Sequence, residues 1–526
     1  PAMTTPADPP ATPDDAENVL RRGLTAERVA PPCTVVIFGA TGDLTKRKLV
    51  PALYSLSRQR LLDGRLAVIG FARRDIGDDG FRDSVVEGCA NASGGELDQV
   101  AFDDLAEGIS YVPGNFDEPD GYERLAKKLD EVEGGRGLPG NRLFYLSTPP
   151  WAFTPVVRRL SEAGLLPRGP QQGDQPFARV VIEKPFGTSL GTARELNRAL
   201  LDHVDERQIF RIDHYLGKET VQNLLTFRFA NGIFEPLLTG QHVDHVQITS
   251  AEALGIEGRG GYFEDAGILR DMVQNHMFQV LALTALEPPV SLEADDLRDE
   301  KVKVMKALRP VPEDAFLEHV ARGQYTRGFV SGREIPSYRE EKGVADDSAT
   351  ETYVALKLFI DNWRWGGVPF YLRAAKAMPK KVTEVAVVFK EPPRRFPGLE
   401  GAAGQGANVL SFRIQPDEGI TIRFGAKLPG PVREVHPVQM EFRYGTSFGS
   451  EPPEAYERLL LDAMVGDPSL FTRADEVEAS WRYVTRVHEL WTQRGPGDLE
   501  TYEAGSWGPA AADALLERDG RRWRRP

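Results

Sequence analysis

The chain has 526 residues, 41% of them hydrophobic and 27% charged, with a formal net charge of -14. That length exceeds what one hydrophobic core usually serves and predicts two domains. The acidic balance argues against a nucleic-acid partner, which needs clustered positive charge, while a few local Lys, Arg and His residues suffice for one small anion.

Only two cysteines occur, Cys33 and Cys89, which predicts a reducing, cytoplasmic setting without a disulfide framework. No stretch approaches the ~18 consecutive apolar residues of a membrane span, and no cleavable leader pattern is present, so no membrane role is expected. Residues 1–30, rich in Pro, Ala, Thr and acidic residues, read as a mobile tail, with Pro1-Ala2 a tag remnant ahead of a start at Met3.

From 31 to about 205, short apolar runs alternate with amphipathic stretches. The runs are Thr34 to Phe38, Leu66 to Gly70, Arg142 to Ser147 and Arg179 to Glu183, with Leu49, Leu53 and Leu56 spaced for one helical face. Strand–helix alternation predicts a doubly wound parallel sheet covered on both faces, a Rossmann-like α/β domain over 31–208. After the first run comes GATGDLTKRKL, residues 39–49. Glycines there let the backbone approach a pyrophosphate, and the following helix N-terminus supplies donors and a favourable dipole. The spacing is G-x-x-G rather than G-x-G-x-x-G, so a plain strand-to-helix turn is the alternative. The second run leads into Arg73 and Arg74, where NAD enzymes place an acid; arginine suits a 2′-phosphate and favours NADP without excluding NAD. Lys48 would add charge nearby. EKPFG at 183–187 closes what reads as the last parallel strand, and Pro185 is a candidate cis residue.

The boundary falls near 205–213, ahead of a larger α+β domain over 209–510 and a C-terminal arm over 511–526. RIDHYLGKE, 211–219, reads as a helix start with Asp213 as N-cap and His214, Tyr215 and Lys218 in the first turns, a phosphate cradle. A capped helix with incidental polar residues is the alternative. A helical stretch from about 266 to 286 carries Asp271 and His276 in apolar surroundings, where an ionisable pair costs stability unless paired or used. Five positions separate them, about 140° around an α-helix, so they must flank something; a satisfied core histidine is the bland alternative. Further on, Val354, Leu356, Leu358 and Ile360 alternate with Tyr353, Ala355, Lys357 and Phe359, then Leu410, Phe412 and Ile414 with Ser411, Arg413 and Gln415, then Ile420, Ile422 and Phe424 with Thr421 and Arg423. Period two predicts an antiparallel sheet exposed or lightly covered on one face. Residues 391–407, rich in Pro and Gly, read as a loop.

Together the Gly-rich turn, EKPFG, RIDHYLGKE, the 263–276 segment, DNWRWGGVPFYLRAAK at 361–376 and AGSWGP at 504–509 resemble the glucose-6-phosphate dehydrogenase family over roughly residues 31 to 510. RIDHYLGKE is the most specific of these. The resemblance implies oxidation of glucose 6-phosphate to the 6-phospho lactone with NADP, by a homodimer or homotetramer joined through the antiparallel sheet, with no metal. It implies His276 as base and Asp213 as its carboxylate partner. His214, Tyr215 and Lys218 would grip the phosphate, Glu252 and Asp271 the sugar hydroxyls. Lys184 would lie between cofactor and substrate, Lys376 and Lys381 would close the pocket, and Gly39, Ala40, Thr41, Gly42, Asp43, Leu44, Lys48 and Arg73 would bind NADP. Ala375 stands where the family commonly has Gly, which bears on Lys376; Thr45 replaces a frequent Ala, and Thr188 a common His. Two rival readings are a related NAD(P)-dependent dehydrogenase of an unphosphorylated sugar, which would have little use for the phosphate cradle, and a non-catalytic regulatory paralogue, in which base and cradle should be damaged.

Overall fold

The computed structural model describes residues 28–95, 97–169, 176–392, 406–431, 434–448 and 453–526. The tail read over 1–30 and the loop read over 391–407 fall largely outside them. Six strands, Thr34–Phe38 (β1), Ala67–Ala72 (β2), Ile109–Pro113 (β3), Arg142–Leu146 (β4), Ala178–Ile182 (β5) and Ile209–Ile212 (β6), run parallel in the order β6-β5-β4-β1-β2-β3. The short strand Phe471–Thr472 adds antiparallel to β6. Every residue of β1 and β2 is buried, as two helix-covered faces require. Strand order reverses direction between β1 and β4, which opens a crevice at their C-terminal ends. EKPFG thus ends the second-last parallel strand, not the last. Ile109–Pro113 is interrupted by Ser110 and closed by Pro113, and Ile209–Ile212 has four residues with Arg211 among them, so neither stands out as an apolar run. Beyond the Gly-rich turn, the predicted stripe lies on a π-helical turn, Thr45–Leu49, and helix α1, Val50–Arg58, with Leu49, Leu53 and Leu56 buried.

The second sheet has nine strands: Val243–Ala251 (β7), Val320–Thr326 (β8), Tyr353–Phe359 (β9), Pro369–Ala375 (β10), Val382–Phe389 (β11), Val409–Gln415 (β12), Gly419–Lys427 (β13), Val435–Arg443 (β14) and Leu499–Glu503 (β15). Their order is β14-β13-β12-β11-β7-β10-β9-β8-β15. Most pairings are antiparallel, but β7 with β10 and β8 with β15 are parallel. The sheet is therefore mixed, because alternation reports which face is buried and not which way a neighbour runs.

Helix Glu219–Phe229 (α2) follows the phosphate-cradle segment. The stretch expected as one helix from about 266 to 286 is three elements: Gly260–Ile268 (α3), a π-helix over Leu269–Met277, and Phe278–Ala285 (α4). The π segment packs between the sheet, at β7 and β10, and the long helix Ala474–Arg494 (α6), which follows Ala455–Val465 (α5). The last helix, Ala510–Glu517 (α7), and the residues after it lie against the sheet. There Arg521 pairs with Asp244 at 2.8 Å and Arg524 with Glu384 at 3.0 Å, and Arg373 is flanked by the Trp507 and Trp523 rings. Among the described residues no helix is long and apolar enough to cross a membrane.

Candidate active site

The nucleotide half is built by β1. Gly39 leaves the strand at φ +80°, its N–H donating to Phe71 O at 2.9 Å, and Gly42 N–H donates back to Gly39 O at 2.9 Å. A Cβ on Gly39 would lie 2.0 Å from Ser147 O, at the end of β4, so only glycine fits this close approach. Ala40 is buried and Leu44 half-buried, while Thr41, Gly42 and Asp43 are exposed at the rim of the crevice. A bare turn feeding a helix start fits a pyrophosphate. Arg73 and Arg74 follow β2 and are exposed, free to meet a ribose phosphate. Lys48 instead pairs with Glu454 at 3.0 Å.

The substrate half differs locally from its expected helix. Residues 214–218 form turns, and α2 begins only at Glu219. The Asp213 carboxylate accepts from Tyr215 N–H at 3.0 Å, an Asx turn that competes with helix formation. Glu418 already occupies the α2 N-terminus, accepting from Thr220 N–H at 3.1 Å. The cradle is therefore made of side chains. Lys218 bonds Gln415 Oε1, and Gln415 Nε2 donates to Thr383 Oγ1 at 3.0 Å and Tyr215 OH at 3.3 Å. Burial and the neighbouring Lys381, itself exposed, bring Lys218 down to about 8. Burial pushes His214 well below the usual imidazole value, reinforced by His276, Lys184 and Lys218. Gln415 and Thr383 do not show as site residues in the sequence: Gln415 reads as a polar beat of a period-two strand, Thr383 lies in a stretch given no such reading, and only strand order brings them to Tyr215.

Between the halves stands Lys184, joined to Pro185 by a cis bond. Its Nζ lies 3.1 Å from Asp271 Oδ1 and 3.0 Å from His276 Nε2. Asp271 and His276 do flank a third group, but not by facing 140° apart. In a π-helix residues five apart stack one above the other, because hydrogen bonds run i to i+5. His276 Nδ1 lies 2.5 Å from Asp213 Oδ1, with both side chains buried. Burial alone would raise the Asp213 carboxyl, yet the His276 ring outweighs it and holds it at about 2. Burial also pulls His276 below its usual 6.5; Asp213 opposes this and Lys184 adds to it. Burial works against Lys184's charge, but Asp271, Tyr262 and Asp213 more than restore it. Because the Lys184 ammonium donates to Nε2, the proton of a neutral His276 sits on Nδ1, facing Asp213.

The far wall comes from the ends of β7 and β10. Lys376 bonds Glu252 and lies 3.8 Å from Asp271 Oδ2. Ala375 is an ordinary member of the β9/β10 ladder; the sharp bend falls instead at Ala377, φ +51°, so Ala375 takes no freedom from Lys376. Tyr262, also missed from sequence, donates to Asp271 Oδ1 at 3.2 Å. Asp213, His214 and His276 bring ligand-type atoms within 4.8 Å of one another. With Asp213 and His276 bonded together and Lys184 against the other ring nitrogen, this trio suits proton transfer better than a cation.

The family model of the glucose-6-phosphate dehydrogenase NAD binding domain matches residues 36–223, and that of its C-terminal domain matches residues 225–524. The chain is 47% identical to a glucose-6-phosphate 1-dehydrogenase of Chlamydia pneumoniae over 504 residues, covering 95% of this chain and 98% of the relative. It is 46% identical to glucose-6-phosphate 1-dehydrogenase 2 of Mycobacterium tuberculosis over 506 residues, covering 96% and 97%. Its fold is similar to that of a glucose-6-phosphate dehydrogenase solved with its substrate glucose 6-phosphate, with TM-score 0.85, 35% identity and coverage of 95% and 100%. A glucose-6-phosphate 1-dehydrogenase from Mycobacterium avium gives TM-score 0.79 and 40% identity, covering 94% and 99%.

Proposed function

The chain belongs to the glucose-6-phosphate dehydrogenase family, and from that premise we infer that its site oxidises D-glucose 6-phosphate to 6-phospho-D-glucono-1,5-lactone through a His276–Asp213 dyad, with NADP as hydride acceptor. The observation that carries the assignment of roles is the 2.5 Å contact between His276 Nδ1 and Asp213 Oδ1, with Nε2 turned to Lys184. His276 Nε2 takes the proton of the anomeric hydroxyl as the carbon–hydrogen electron pair leaves, and the sugar carbon becomes the lactone carbonyl. Asp213 holds the Nδ1–H tautomer and balances the imidazolium charge as it forms. NADP supplies the nicotinamide that accepts the hydride.

Lys184 yields its place at Nε2 to the sugar hydroxyl and stays tethered by Asp271. His214, Tyr215, Lys218 and Lys381, joined by Gln415, hold the phosphate; Glu252, Asp271 and Lys376 hold sugar hydroxyls. The turn from Gly39 to Leu44 receives the pyrophosphate, and Arg73 the 2′-phosphate, with Lys48 at the margin. On this reading residues 31–208 serve the dinucleotide, 209–510 serve the sugar and self-association, and 511–526 form an arm.

Self-association, as a homodimer or homotetramer, through the sheet edge is the reading that Val438 and Met440, exposed on the edge strand β14, support, since open edges invite pairing. A cytoplasmic setting is supported by Cys33 and Cys89, both buried and unpaired. One absorbance assay tests the function: glucose and glucose 6-phosphate, each with NAD and with NADP, for wild type and His276→Asn. Turnover of the phosphorylated sugar with NADP, lost in the variant, is expected. Wild-type turnover in His276→Asn would remove the base.

A further inference from the structure

We infer that Glu351 is a positioning residue for the reaction: it fixes the start of the π segment that presents Asp271 to Lys184. The inference rests on the proposed roles of those residues. Gly267, at φ +62° and ψ 169°, breaks the chain out of α3. Directly after the break, Ile268 N–H donates to Glu351 O at 3.0 Å and Leu269 N–H to Glu351 Oε1 at 3.2 Å. These are first-turn donors, which a helix cannot satisfy internally. One residue therefore caps the segment twice, by main chain and by side chain.

The carboxylate is built into the joint. Glu351 is 8% exposed, and a Cβ on Gly267 would lie 2.4 Å from its Oε1. The register of the π segment depends on where it begins, because a slip of one residue turns every following side chain to a different face. Asp271 is two positions beyond the capped Leu269. Arg270, between them, turns toward α6, donating to Asp265 O at 2.5 Å and His488 Nε2 at 2.6 Å, while Asp271 faces Lys184. The next residue extends the same support, since Thr352 O accepts Lys376 N–H at 3.0 Å. The pair Glu351-Thr352, leading into β9, thus holds two walls of the sugar pocket from behind without reaching the pocket itself.

The test is a double-mutant cycle on the full chain with E351A, D271N and the double variant, reading kcat and KM for glucose 6-phosphate and for NADP. E351A is expected to lower kcat/KM for the sugar about tenfold or more, with KM for NADP changed less than about twofold. In the D271N background the further loss should be under about threefold, because Glu351 acts through the segment bearing Asp271. E351Q keeps an acceptor for Leu269 N–H and should recover to within about threefold of wild type. Additive losses, or E351Q as poor as E351A, would overturn the proposal. An unimpaired D271N refutes the role of Asp271 and with it this route, whereas an impaired D271N with additive losses refutes Glu351 alone. If E351A does not fold, G267A pushes the same carboxylate from the other side, and full activity in G267A likewise overturns the proposal.

Discussion

Replacing Asp213 by Asn removes the charge behind the base while keeping its shape. Oδ1 lies 2.5 Å from His276 Nδ1 with both side chains buried, so water cannot substitute for the lost carboxylate. The carboxyl is held down, although burial pulls the other way, by the His276 ring first and then by His214 and Tyr215 N–H; a buried hydrogen bond to a charged group is worth roughly 2–3 kcal/mol. The same interaction stabilises the imidazolium that forms as the hydroxyl loses its proton, so its loss slows that step roughly 30- to 150-fold. A second effect adds to it. The Asn amide can donate to Nδ1, which moves the imidazole proton onto Nε2 and blocks the base, a tautomer error that costs up to ~10⁴ in a buried His–carboxylate pair. Asp213→Asn should therefore lower kcat between about 10² and 10⁴, with KM for glucose 6-phosphate within about threefold. Initial rates of dihydronicotinamide absorbance measure both. A kcat within about threefold of wild type, or a loss lying wholly in KM, would refute the reasoning.

Lys184→Gln removes the cation 3.0 Å from His276 Nε2, so the acid limb of kcat/KM, which lies below the usual 6.5 because burial first and Lys184 further depress His276, should move up. Asp213→Asn should move the same limb down, and parallel shifts would show that His276 does not set it. Gly39→Ala puts a methyl 2.0 Å from Ser147 O at φ +80°; NADP affinity measured by fluorescence should drop about tenfold or more, while glucose-6-phosphate binding, measured by calorimetry, stays unchanged. Met440→Lys places a charge on the exposed edge strand β14; light scattering should show dissociation toward monomer, and an unchanged mass would place self-association elsewhere.

The strands β1, β2, β4 and β5 were legible because a parallel sheet covered on both faces demands continuous apolar runs, and the turn after β1 carries Gly39 at a φ other residues avoid. RIDHYLGKE was legible as a site because its polar density has no use in a helix cap alone. Its local conformation was not: Asp213 has the side chain of an N-cap, and only the fold decides that it accepts from Tyr215 N–H and faces His276. The spacing of Asp271 and His276 misled for a related reason. Five positions mean 140° only in an α-helix, and the π segment that stands there starts at the break at Gly267 and the cap at Glu351, a residue 82 positions beyond Leu269. Gln415 and Thr383 reach Tyr215 across 200 and 168 positions; such meetings are set by strand order, which alternation does not encode.

On the proposed roles, the arrangement around Lys184 accounts for a fully buried imidazole that stays a competent base. Burial disfavours the imidazolium, Asp213 favours it, and Lys184 opposes it, so the empty-handed base remains neutral and its Nε2 lone pair is kept pointing inward by the ammonium. When the sugar hydroxyl takes that place, Lys184 still has Asp271 O at 3.2 Å and Oδ1 at 3.1 Å, and it need not return to water. Asp213 is then the carboxylate bonded directly to the ring on which positive charge develops. Two carboxylates thus divide the work, one holding the lysine and one the histidine. The division depends on Asp213 arriving from the turn after β6 and Asp271 from the π segment, on opposite sides of the same ring.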